Sequence, residues 1–105
     1  MTKTEKQRID FSDAKRFKAE YEAYFSALKY FAFRYIEDEG VVCDLLHDLF
    51  VKLWERGEMF ENEMVLKAYL YRSVRNNCLT YIRDNRRREH RLAEYEPEET
   101  EEAFV

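Results

Sequence analysis

Arg72, Asn76, Leu79, Arg83 and Arg86 are spaced so that one side of a helix would carry all five. Guanidinium groups hold phosphate oxygens, and an asparagine amide can meet a base edge through two hydrogen bonds. The chemistry offered by this stripe is therefore DNA recognition. A plainer account is a solvated charged face whose last arginines complement the helix dipole. That account suits Arg86, Arg87 and Arg88 better than Arg72 and Asn76, which lie mid-helix, where Asn is a poor helix former. Phe60, Tyr69 and Tyr71 lie near the start of the same segment. Such rings can stack on unpaired bases, although Tyr69 fits a core position.

Other constellations offer less. Cys43 and His47 stand at i and i+4, a spacing that can hold zinc on a helix. No second paired motif completes a four-ligand set, and Cys78 and His90 would lie about 18 Å apart along one helix. No metal is expected. Asp44 and Asp48 form a carboxylate pair of the kind usual on surfaces. There is no glycine-rich phosphate loop, nucleophile elbow or convergent His–carboxylate pattern. An enzyme, a cofactor and a small-molecule substrate are not expected.

The elements that would position these groups are helices. Lys67 to Arg91 contains neither Gly nor Pro, and Leu66, Tyr69, Leu70, Val74, Cys78, Tyr81 and Ile82 recur at steps of three and four. This third helix begins at Asn62 or Glu63. A first helix is expected from the cap Ser12 to about Tyr35, with Phe17, Tyr21, Tyr24, Leu28, Phe31 and Tyr35 along a heptad-like seam. Asp38 is placed to cap a second helix from about Gly40 to Arg56, followed by a loop opened by Gly57. Residues 1–11 read as a flexible leader, 12–91 as the helical domain, and 92–105 as an acidic tail or the start of a linker.

The second helix is too apolar for one buried face. Val42, Leu45, Leu46, Leu49 and Leu53 share one arc. Cys43, Phe50, Val51 and Trp54 occupy much of the opposite arc, with His47 among them and Asp44 and Asp48 at the edges. Such a helix is either central in a larger core or has a second partner. An exposed Phe50–Val51–Trp54 patch rimmed by carboxylates suits protein binding. Alternatively, Phe50 and Trp54 simply close one end of the bundle.

Bulk properties agree. A chain of 105 residues makes one small domain, and two glycines and one proline favour an all-α class, here a compact three- to four-helix bundle. Net charge is −4 but unevenly spread: residues 72–91 carry seven arginines against two acids, and residues 37–63 carry nine acids against two bases. A basic stripe can thus meet DNA while an acidic middle meets a basic protein. No apolar run is long enough to span a membrane, and the polar start MTKTEKQRID lacks a signal peptide's apolar stretch, so the cytoplasm is the expected compartment, with both cysteines reduced.

The run Val42–Glu55, VCDLLHDLFVKLWE, resembles region 2.2 of bacterial RNA polymerase sigma factors. Leu66–Leu79, LKAYLYRSVRNNCL, resembles regions 2.3 and 2.4, and Phe31–Tyr35 lies in a helix similar to regions 1.2–2.1. The nearest type is the extracytoplasmic-function group of the sigma-70 family, with a resemblance covering about residues 15–90. It implies docking of the second helix on the clamp helices of the polymerase β′ subunit through Asp44, His47, Asp48, Phe50, Val51 and Trp54. It further implies recognition and melting of the promoter −10 element. A flipped base would enter a pocket of Phe60 and the 57–66 loop with Tyr71, Arg72 and Asn76. Lys67, Arg75, Leu79, Arg83 and Arg86 would complete the DNA-binding set. An anti-sigma factor is an expected partner.

The chain departs from the family pattern at His47, where Gln is usual, and no −35-reading second domain follows within these 105 residues, so either the sequence is part of a longer protein or another −35 reader is needed. The expectation is that this is a fragment of a longer protein. The competing reading is a helical protein-interaction module, an adaptor or anti-sigma-binding domain, that never touches DNA.

Overall fold

The computed structural model describes the backbone of residues 8–104 and the side chains of residues 8–92. Three helices and a minimal β-ribbon follow in the order β1 (Ile9–Asp10), α1 (Ala14–Ala32), α2 (Glu39–Arg56), β2 (Met59–Phe60) and α3 (Glu63–Phe104). The fold is all-α, as composition and periodicity require.

Local chemistry sets each helix start. Asp13, not Ser12, caps α1, its Oδ1 accepting from the Lys15 amide at 3.0 Å. Ser12 instead turns back to Asp10, donating from its Oγ at 2.6 Å and its amide at 2.9 Å. These two donors hold the Asp10 carboxyl below its ordinary range. Asp38 caps α2 as expected, accepting from the Val41 amide at 3.2 Å. Asn62 Oδ1 accepts from the Val65 amide at 2.9 Å and starts α3. Gly57 ends α2 at φ 61°, where a side chain would be strained. Its turn sends the chain straight into β2.

The core forms where the three helices meet. Leu28 and Ala32 of α1, Val42, Leu46, Leu49, Phe50 and Leu53 of α2, and Leu66, Leu70, Val74 and Cys78 of α3 are all buried. Desolvation pushes the Cys78 thiol up, so this cysteine is an inert packing group. α1 stops at Ala32 rather than near Tyr35, and Ile36 of the connection is buried.

Two boundaries differ from the sequence reading. The leader is shorter: Ile9 pairs with Phe60 and Asp10 with Met59 in an antiparallel ladder, and Ile9 and Phe11 are fully buried. The Phe11 amide donates to the Glu58 carbonyl at 2.8 Å, extending the ribbon by one bond. Burial of Ile9 and Phe11 holds this segment, since two-residue strands contribute few ladder bonds. Residues 1–7 of the expected leader lie outside the described residues. At the other end α3 does not stop near Arg91 but continues as helix to Phe104. The acidic side chains of the expected tail lie outside those described.

A polar clip ties α1 to the start of α3. Arg16 Nε donates to Glu20 Oε2 at 2.8 Å, and Arg16 Nη2 to Glu63 Oε2 at 3.3 Å. The Tyr24 hydroxyl donates to Glu63 Oε1 at 2.9 Å. Glu20 is the one buried charged residue among those described. Burial, and then the neighbouring Glu63, raise its carboxyl pKa above the ordinary 4.5, outweighing Arg16. Burial, and then the same carboxylates, push Tyr24 up to about 12.

Two outcomes follow from this packing. Phe11→Ala should cost about 3–5 kcal/mol in urea unfolding, as for other buried phenylalanines, whereas a loose leader would make it silent. Because the folded state binds the Glu20 proton more tightly than the unfolded state, wild-type stability attributable to this group falls as pH rises from 4.5 through the raised folded pKa. Glu20→Gln should therefore gain stability relative to wild type between pH 4.5 and 7, read as the difference in urea midpoints.

Candidate functional site

The surplus apolar arc of α2 divides in two. Phe50 is fully buried, 5.1 Å from the Tyr21 ring and 6.4 Å from Phe17, and so is not part of an exposed patch. α1 supplies the aromatic wall that encloses it, a contribution α2's own periodicity cannot reveal. His47 is exposed at its edge yet rests against rings, 5.8 Å from Tyr21 and 5.3 Å from Phe25. Trp54 leans on Phe17 at 5.1 Å and keeps 39% of its surface in water; Val51 keeps 45%. Asp44 and Asp48 are exposed, and Asp48 meets Lys52 Nζ at 3.2 Å. The α2 surface is thus Asp44, Asp48 and Val51 outward, with His47 and Trp54 on the border with α1.

The α3 stripe is where the spacing puts it. Arg72, Asn76, Arg83 and Arg86 are exposed, Leu79 is 39% exposed between them, and Lys67 and Arg75 are exposed as well. Arg75 Nη1 approaches Asn76 Oδ1 at 3.4 Å, and Arg83 Nε lies 3.7 Å from Asp84. Such exposed pairs are worth about 0–1 kcal/mol, so these guanidiniums can exchange them for phosphates.

The expected base pocket is not assembled as one unit. Phe60 is buried, 5.7 Å from Phe11 and 5.2 Å from Tyr69, because β-pairing with Ile9 turns it inward. It is a core residue here, with 7% of its surface exposed. Tyr71 packs edge-on against Phe31 at 4.9 Å on the α1 side of α3. Asn76 instead opens toward α2, into a groove of about 470 Å³ between the two helices whose other wall includes Asp48, Lys52 and Arg56. Tyr71 and Asn76 sit about 140° apart around the helix by residue count.

Groove residues Lys52, Arg56, Asn77 and Tyr81 went unnoticed in the sequence as functional positions. A helical wheel shows them on flanks, but only the docking of α2 against α3 makes the flanks face each other. At the far end of the stripe, Arg86, Arg87, His90 and Arg91 form a further basic cluster. Cys43 and His47 are joined by no further ligand, and no group of three metal-binding side chains occurs among the described residues. No described helix is long and apolar enough to cross a membrane.

Phe50 and Trp54 should separate structure from surface. Phe50→Ala is expected to lower unfolding free energy by about 3–5 kcal/mol. Trp54→Ala, losing a half-exposed ring, should cost less than half as much in the same urea titration.

The arrangement is a helical domain with an acidic–apolar face on α2 and a basic face on α3. No curated protein and no solved structure matches the chain. The Sigma-70 region 2 family matches it over residues 20–88, which takes in most of α1, all of α2 and the basic stripe of α3. On that match the chain belongs to the sigma-70 region 2 family, whose place is in transcription initiation.

Proposed function

We propose that this domain acts as region 2 of an extracytoplasmic-function sigma factor in the bacterial cytoplasm, docking on the polymerase β′ clamp helices and recognising and melting the promoter −10 element. What carries this reading is the pairing of two exposed surfaces of opposite character on adjacent helices. Asp44, Asp48, Val51 and Trp54 on α2 suit a basic helical partner. Arg72, Arg75, Arg83 and Arg86 on α3 suit a phosphate backbone. A free anti-sigma factor would compete for the same α2 surface. Phe50 and Phe60 support both faces from inside the core.

The division of labour has a physical basis. Extruding a base costs a few kcal/mol of stacking and pairing. Backbone contacts along the stripe and a site for the unpaired base offset that cost. The acidic α2 face repels DNA and attracts the polymerase, so the two partners are sorted by charge. The chain alone should grip DNA weakly, with the polymerase contributing the rest. The family is not a class of enzymes, and the reading requires no cofactor.

Titration with an isolated clamp-helix fragment tests the docking. Asp48→Arg and Trp54→Ala should each weaken binding at least tenfold, since a reversed charge and a lost anchor are the two usual ways to break such a contact. Undiminished binding in both variants would move the interface elsewhere. For DNA, polymerase carrying Arg72→Ala and Arg83→Ala together should show a shallower salt dependence, by about 1.4 in the log–log slope for two single-strand phosphates. An unchanged slope would leave the interaction module as the better reading.

A further inference from the structure

α3 outruns the bundle. Its last fully buried side chain among the described residues is Cys78, yet the helix continues to Phe104. Residues 79–104 rise about 39 Å. Tyr81 and Ile82 are the last described side chains of this stretch packed against the core. Exposed contacts beyond them, such as Arg83 Nε with Asp84 at 3.7 Å, contribute about 0–1 kcal/mol. Helices in proteins draw most of their stability from a neighbour, so a polar helix that leaves its own core gains from a partner laid along it.

The charge pattern of this extension selects the partner. Residues 83–91 hold five arginines against two acids, and residues 92–105 hold six glutamates and no base. Arg83, Arg86 and His90 are exposed, and they share with positions 94, 98 and 101, all glutamates, an arc of about 120° by residue count. The two sets are mirror images about Leu92: 90 and 94 lie two residues from it, 86 and 98 six, 83 and 101 nine. Two helices related antiparallel by a two-fold axis set residue i against residue j with i + j constant. With the axis at 92, Arg83 stands opposite Glu101 of the other copy, Arg86 opposite Glu98 and His90 opposite Glu94, and no residue from 82 to 102 meets one of like charge. Moving the axis half a residue opposes Asp84 to Glu101 and Glu89 to Glu96 in one direction, and Asp84 to Glu99 and Glu89 to Glu94 in the other. A parallel pair in register would set every charge against itself.

We propose that the partner is a second copy of this chain: two α3 extensions pair antiparallel about residue 92, with Arg83, Arg86 and His90 of each copy against Glu101, Glu98 and Glu94 of the other. The interface is isologous, so each pair occurs twice. A single exposed pair is weak, but here the pairs form one network in one register. Arg83 and Arg86 also belong to the stripe assigned to DNA, so a paired chain holds both arginines away from any phosphate. That consequence rests on the DNA reading; the pairing itself does not.

Sedimentation velocity of the full chain tests it. At low ionic strength the wild type should pass from monomer to dimer as its concentration rises, and return to monomer in about 1 M salt, where charges are screened within 3 Å. Arg83→Glu with Arg86→Glu should weaken the dimer at least tenfold, as should Glu98→Arg with Glu101→Arg, because each double variant sets like charges across both halves of the seam. Mixed in equal amounts, the two double variants should recover the dimer, since every pair between them is again opposite. Circular dichroism checks that each variant keeps its helices. A wild type that stays monomeric at its solubility limit in low salt would overturn the pairing. So would a dimer indifferent to salt or to both charge reversals, or a mixture that does not recover. Neither polymerase nor DNA enters these measurements, so the sigma reading survives their failure.

Discussion

The placement of α3 depends on a row of aromatic rings at one end of the bundle. Phe11 meets Phe17 at 5.8 Å and Phe60 at 5.7 Å, Phe17 reaches Phe50 and Trp54, and Phe60 reaches Tyr69. Each such ring pair is worth about 0.5–1.5 kcal/mol beyond its burial. More important than the sum is what the rings join. They link the ribbon, α1, α2 and the first turns of α3, so the start of the helix that carries the basic stripe is fixed by contacts from every other element. The ion pairs around Glu63 reinforce the same junction, at the expense of one buried carboxyl.

This junction explains why the two faces remain apart. α2 turns one apolar arc to the centre and a second to the rings of α1, leaving Val51 and Trp54 as its exposed large apolar side chains. α3 buries Leu66, Leu70, Val74 and Cys78 and turns its arginines away. The exposed acids of α2 and the basic stripe of α3 then flank a groove whose own charged lining, Asp48, Lys52, Arg56 and Asp84, is balanced. Screened charge acts over only about 8 Å at physiological salt, so the two faces keep separate local fields.

Much of this was legible in the chain. The periodicity of α3 marked its buried and basic sides, Asp38 and Gly57 marked the ends of α2, and the motifs of both helices pointed to the family. What was not legible came from contacts between elements. Ile9 and Phe11 form a two-residue alternation inside a polar stretch, too short to register as a strand. Phe50 and Phe60 looked available because their enclosing partners, Tyr21, Phe17, Phe11 and Ile9, lie elsewhere in sequence. Ser12 and Asp13 are both good caps, and only the pull of Asp10 on Ser12 decides between them. The groove was invisible for the same reason: each helix supplies half of it.

The stripe's residence on a single unbroken helix has a further consequence. Arg72 and Arg86 are separated by fourteen residues, about 21 Å of rise. No joint lies between them to absorb an error in length. One residue inserted near Thr80 would turn Arg83 and Arg86 by about 100° relative to Arg72 and Asn76, breaking the single line of the stripe while leaving the upstream packing in place. The alignment of the stripe thus depends on the number of residues between its ends as well as on their identity.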